Sequence, residues 1–239
     1  MYCYKYKWDR EMSKDVDVYP ALEPEEDKVY RLVEAIISLI PTGQAILHSV
    51  VSPPVQKRME SWIASVEERL SELTGNGEID INQLITKQEF SALALRSIQA
   101  AAITSQNDKL TYLKNFIINV ARNSDIDEDE LYVLLNILNE FTPSHIKVLH
   151  FYANPELYSS KISNVPTNAP PNNLAQGREL SIVFDRGDAE YWQNIFLTVS
   201  ARNVVTNHTS SVRANMLQDR VVSGAATRLG LKLLTMVSE

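Results

Sequence analysis

Cysteine is almost missing from this sequence, and Cys3 stands alone. One thiol forms no intrachain disulfide, so a disulfide-stapled secreted scaffold is excluded. Cys3 lies in an aperiodic stretch that lacks the enclosed, electropositive setting of a reactive thiol. Glycine is also scarce, with 7 residues in 239. That leaves little material for tight hairpin turns or phosphate-cradling loops and favours helices over a many-stranded sandwich. Residues 1–10 have no apolar core of a signal peptide, so the expected compartment is the cytoplasm. Basic residues are outnumbered, with 23 Lys and Arg against 30 Asp and Glu and a net charge of −7. This balance disfavours a protein that coats nucleic acid by bulk charge, although it leaves room for a local basic face.

Motifs that carry chemistry are lacking too. No two of His48, His145, His150 and His208 are four apart, and no second cysteine exists to complete a structural zinc site. Asp125, Asp127 and Asp129 alternate as at the start of a calcium loop. The sixth and twelfth positions are Glu130 and Asn136, where such a loop needs Gly and Glu. Gly75-Asn76-Gly77 lacks the third glycine and the preceding apolar strand of a dinucleotide loop. No serine lies in a G-x-S-x-G turn. No nucleophile, base, metal or cofactor is nominated, and none is expected. Scattered catalytic residues leave no local trace, so an enzyme without a local motif remains an alternative.

What is present is helical periodicity. After a leader at 1–24, read as mobile and containing Met12 as a candidate natural start, the apolar residues follow a 3.6-residue period. Val29, Leu32, Val33, Ile36, Ile37 and Ile40 form one face, and Val55, Met59, Trp62, Ile63, Val66, Leu70 and Leu73 form another. Further helices are expected at 82–104, 107–121, from the acidic run 125–130 onward, and at 142–152, where Thr142-Pro143 reads as a cap with a first-turn proline. The fold class is mainly α: an antiparallel bundle over 25–153, joined through a linker or long loop at 154–180 to a small module at 181–239. Within that last part, 179–185 reads as a short strand, and helices are expected at about 188–203 and 227–237.

Two features exceed a bland bundle. No charged residue lies between Glu34 and Lys57, but Pro41, Gly43, Gln44 and His48 interrupt the run. The simplest expectation is a buried helical hairpin. Its alternative is a membrane-acting effector of a bacterial conflict system that inserts residues 35–56 after rearrangement, as an oligomer around a wet pore. Lys57 and Arg58, placed in a first helical turn where the dipole disfavours them, are then candidates for contact with an anionic surface. The second feature is the C-terminal part, where Thr142 to Leu149 resembles the first helix of a winged helix, with a recognition helix within 191–205 and a wing at 212–226. Residues 189–238 carry Arg202, Arg213, Arg220, Arg228 and Lys232 against Glu190 and Asp219, about +3 in an acidic chain. Arg202, Asn203, Arg213 and Arg220 are the candidates for binding a protein partner or, less often, DNA.

The segments Ile40-Pro41 with Gly43, Pro54, Lys57-Arg58 with Trp62, Arg69-Leu70 with Glu72-Leu73, and Thr227 with Leu229-Gly230 make up one pattern. It resembles a family of uncharacterised bacterial helical proteins with an IPxxG break, a KRxxxW helix ending RLxEL, and a late TxLG helix. The resemblance implies a bacterial origin and a helical architecture with a winged-helix-like end, and it implies no activity. The leading functional expectation is a non-enzymatic interaction protein whose C-terminal module docks a protein or DNA.

Overall fold

A computed structural model of the chain describes residues 25–38, 53–123, 126–165, 174–206 and 225–239. Those residues are mainly helical. In chain order the helices are α1 (Glu25–Ser38), α2 (Pro53–Gly75), α3 (Ile81–Thr86), α4 (Gln88–Ile103), α5 (Asn107–Arg122), α6 (Glu128–Glu140) and α7 (Pro143–Ala153). A 3-10 turn (Pro155–Tyr158) and the short α8 (Ser159–Ile162) follow, then α9 (Ala175–Phe184), α10 (Ala189–Ala201) and α11 (Arg228–Val237).

Most positions of the periodic faces named above become the core, while Val55 and Ile63 are half-buried and the side chains of Ile37 and Ile40 lie outside the described ones. Val29, Leu32, Val33 and Ile36 of α1 are buried, as are Met59, Trp62, Val66, Leu70 and Leu73 of α2. The centre is α5, which packs against α2, α4, α6 and α11. Its Leu110, Leu113, Phe116 and Ile117 are buried. The Trp62 indole N–H of α2 donates to the Leu110 carbonyl at 2.8 Å. Three polar side chains of α5, those of Lys109, Asn115 and Asn119, are buried as well.

Several sequence expectations change. The helix expected at 82–104 is two helices, because Lys87 is extended (φ −81, ψ 105) and ends α3 before α4 begins. The strand expected at 179–185 is the last part of α9. Its Ser-Ile-Val-Phe run has strand-like composition, yet Gln176, Gly177, Leu180 and Val183 fall on one buried helical face. Packing against α10 outweighs the β propensity of that run. Of the loop expected at 154–180, the described ends are helical, and Ile162 joins the hydrophobic core. Residues 166–173 lie outside the described residues, as do the leader 1–24 and most of 35–56. One hydrophobic cluster includes residues of both the bundle and the C-terminal part.

Two glycines set how closely this C-terminal part packs. A Cβ on Gly177 would lie 1.9 Å from the Ala189 carbonyl oxygen, so α9 and α10 touch backbone to backbone. A Cβ on Gly230 would lie 2.1 Å from the Val204 carbonyl oxygen and 2.9 Å from Leu149 Cδ1. Thr227 works on the same turn, since its hydroxyl accepts the Gly230 N–H at 3.1 Å and donates to the Asn203 carbonyl at 2.6 Å. The Thr and Gly of the TxLG segment are therefore a helix cap and a point of close approach. Gly230→Ala should lower stability by about 1–3 kcal/mol, the usual range for overpacking. Gly75→Ala, with nothing within 4 Å of the new Cβ, should leave it within about 0.5 kcal/mol. Urea unfolding midpoints of the two variants test this, and equal midpoints would contradict the close approach.

Candidate functional site

The outward face of α10 is the first surface to consider. Asp188 caps the helix by accepting the Tyr191 N–H at 2.7 Å. Trp192, Ile195, Phe196 and Val199 turn inward and are buried. The opposite stripe is Glu190, Tyr191, Asn194, Leu197, Ala201 and Arg202, all exposed. Tyr191 is 39% exposed and Leu197 49%. The Tyr191 hydroxyl donates to Ser144 Oγ at 2.8 Å, which orients the ring along α7.

Arg202 is present at the end of this stripe, but its guanidinium pairs with Glu140 at the end of α6. Asn203 sits in the left-handed region (φ 54), a conformation Asn tolerates, and its carbonyl holds the Thr227 hydroxyl. Lys232, also counted in the local positive balance, pairs with Glu130 at the start of α6. Arg213 and Arg220 lie outside the described residues. Lys57 is exposed and Arg58 half-buried, and both lie beyond the first turn of a helix that starts at Pro53. The dipole argument for them therefore loses its force.

The second surface is a groove of about 610 Å³ between the C-terminal end of α4 and the joint of α6 with α7. Arg96, Gln99 and Ile103 come from α4, Lys109 from α5, and Glu140 and Thr142 from the joint. Ile103 is 89% exposed. The Arg96 guanidinium lies 4.8 Å from the centre of the Tyr132 ring. The Lys109 ammonium is buried at the C-terminal end of α6, donating to the carbonyls of Leu138 and Phe141 and, at 3.3 Å, to that of Asn139. A cation suits the negative end of a helix dipole. Burial nevertheless pushes its pKa down to about 8. Sequence reasoning missed this residue. The available signal was a lysine in line with Leu113, Phe116 and Val120 on an otherwise apolar helical face.

A second polar cleft, of about 260 Å³, includes Arg69, Lys114, Arg122 and Glu239. Here Arg69 pairs with Glu72, and Arg122 with Glu78 at 2.9 Å. The amides of Asn115 and Asn119 are used on α11, whose Val237 carbonyl accepts from Asn115 and whose last turn accepts from Asn119. The charges of this cleft are largely met from within. Among the described residues no group of three or more His, Cys, Asp or Glu could hold a metal ion. No described helix is long and apolar enough to cross a membrane. No protein-family model, curated protein or solved structure matches this chain.

The α6–α7 joint beside the groove contains a titratable cap. His145 Nδ1 accepts the Thr142 backbone N–H at 3.0 Å and lies 2.8 Å from the Thr142 hydroxyl. The ring stacks on Phe141, with centroids 5.0 Å apart. Burial lowers the pKa from the usual 6.5, the Lys109 charge lowers it further, and Glu140 opposes both. The unfolded chain then binds the extra proton, so the joint contributes fully above about pH 6.5 and loses that contribution as pH falls through the lowered value. In wild type the urea midpoint should therefore drop between pH 7 and 5 by more than in His145→Gln, whose side chain keeps a capping acceptor without titrating. Parallel pH profiles would contradict this assignment.

Proposed function

We propose that this chain is a non-enzymatic interaction protein whose C-terminal module docks a partner protein through the outward face of α10. The observation that carries this is the charge of that face. It holds one acid, Glu190, and one base, Arg202, and the base is already paired with Glu140. A helix that reads DNA needs free cations for phosphates. A stripe with no free cation, an oriented Tyr191 and an exposed Leu197 instead matches the aromatic and apolar anchors of protein interfaces.

The winged-helix character of the module belongs to this proposal. It is supported by the order of α7, α10 and α11 and by an antiparallel bridge between Val205 and Ala226. Thr206 N–H donates to the Ala225 carbonyl at 2.8 Å and Thr227 N–H to the Val204 carbonyl at 2.9 Å. These bonds join the residues that flank 207–224, a segment outside the described residues that contains most of the wing expected at 212–226. Among the described residues no strand extends the bridge. The likeness to bacterial helical proteins with a TxLG helix supports the same architecture.

The test compares co-purification from the native host for wild type and Leu197→Glu, with far-UV circular dichroism as the folding control. A partner retained by wild type and lost by the variant is the expected result. Indistinguishable sets of captured proteins would remove α10 as the docking face. In parallel, wild type should show no retardation of duplex DNA at about 50 mM salt, where phosphate contacts are strong. Retardation there, abolished by Arg202→Glu with Arg213→Glu, would replace the protein partner by DNA.

A further inference from the structure

We propose that the groove between α4 and the α6–α7 joint binds an acidic peptide segment of a partner protein, one that brings carboxylates to Arg96 and an apolar side chain to Ile103. This surface is separate from the outward face of α10. The occupant is argued from charge. Of the ionic groups lining the groove, Glu140 is neutralised by Arg202. Arg96 and Lys109 remain, and among the described residues neither pairs with a carboxylate. Lys109 spends its donors on backbone carbonyls, which orient it without cancelling its charge. Arg96 rests over the Tyr132 ring, which leaves the in-plane N–H fork of its guanidinium available to a carboxylate.

Arg96, exposed and without a carboxylate, raises the local positive potential beside this concave surface, with Lys109 buried behind it against the end of α6, although the whole chain carries −7. The polar cleft at Arg69 and Arg122 is the contrasting case, because Glu72 and Glu78 already sit on two of its three cations and Glu239 lines it as well. Size and chemistry of the wall choose a peptide over a single small anion. About 610 Å³ exceeds what a lone phosphate or carboxylate would fill. Ile103 at the rim is the most exposed large apolar side chain of the described residues, and the half-buried Ala100 lies one turn before it on the same wall. A bound segment with alternating acids and leucines would cover Ile103 and pair with Arg96.

The probe is an acetylated, amidated Asp-Asp-Leu-Glu-Asp-Leu peptide, titrated into the full-length, 15N-labelled chain at low salt and followed by amide chemical shifts. Saturable shifts are expected at residues 99–104 and 139–142. Arg96→Gln and Ile103→Ser, both at exposed positions, should each weaken binding about tenfold. Leu197→Glu should bind the peptide as wild type does, so failure of the α10 docking face and failure of this groove are told apart. No shifts, or shifts confined to the surroundings of Arg69, Lys114 and Arg122, would overturn the proposal. It would also be overturned if pyrophosphate alone reproduced the pattern while Ile103→Ser had no effect, because the site would then be one for small anions.

Discussion

The end of a helix leaves carbonyls without partners, and burying such an end requires donors from elsewhere. In this protein α5 supplies them twice. Asn115 and Asn119 donate to the carbonyls of Thr235, Met236, Val237 and Ser238, which finish α11. Lys109, two turns earlier on α5, does the same for the end of α6. Each buried carbonyl left without a donor would cost about 1–3 kcal/mol, so these side chains decide where the two neighbouring helices can stop. The chain turn into α7 at Thr142-Pro143, the His145 cap and the groove beside Arg96 all lie at the place where Lys109 meets the end of α6.

The same helix α6 organises the charges. Glu130 near its start holds Lys232 of α11, and Glu140 at its end holds Arg202 of α10. Both pairs are partly exposed, and such pairs contribute less than about 1 kcal/mol each. Their effect is therefore mainly on position and surface potential. They draw two cations of the C-terminal part onto the bundle and leave the outward face of α10 nearly neutral. What fastens that part is apolar burial, with Tyr152 of α7 against Phe196 and Phe151 of α7 against Phe184 at centroid distances of 5.4 and 6.1 Å.

Helices such as α1, α2, α5 and α11 are legible in the sequence because a buried helical stripe is a local, periodic signal. Caps are equally local. Thr142, Asp188 and Thr227 each sit just before a helix start, and the last two accept an N–H from the first turn. Where the local signal is ambiguous, the sequence misleads. Ser181 to Phe184 suits a strand by composition, whereas it continues a helix whose buried face packs on α10, closely at Gly177. The break at Lys87 has no glycine or proline to announce it.

The amino-acid sequence by itself determined the helical class, most helix positions, the acidic balance and the absence of local catalytic motifs, because each depends on neighbours within a few turns. Tertiary structure alone decided which charges are free. Arg202 looked available until folding placed Glu140 beside it, and Lys232 is paired with a residue 102 positions away. Asn119 meets the Ser238 carbonyl across 119 positions. Arg96, an ordinary surface arginine in the sequence, gains a groove only when α4 meets the joint of α6 and α7. Periodicity is written in adjacent turns, whereas electrostatic compensation depends on distances through space that no spacing along the chain encodes.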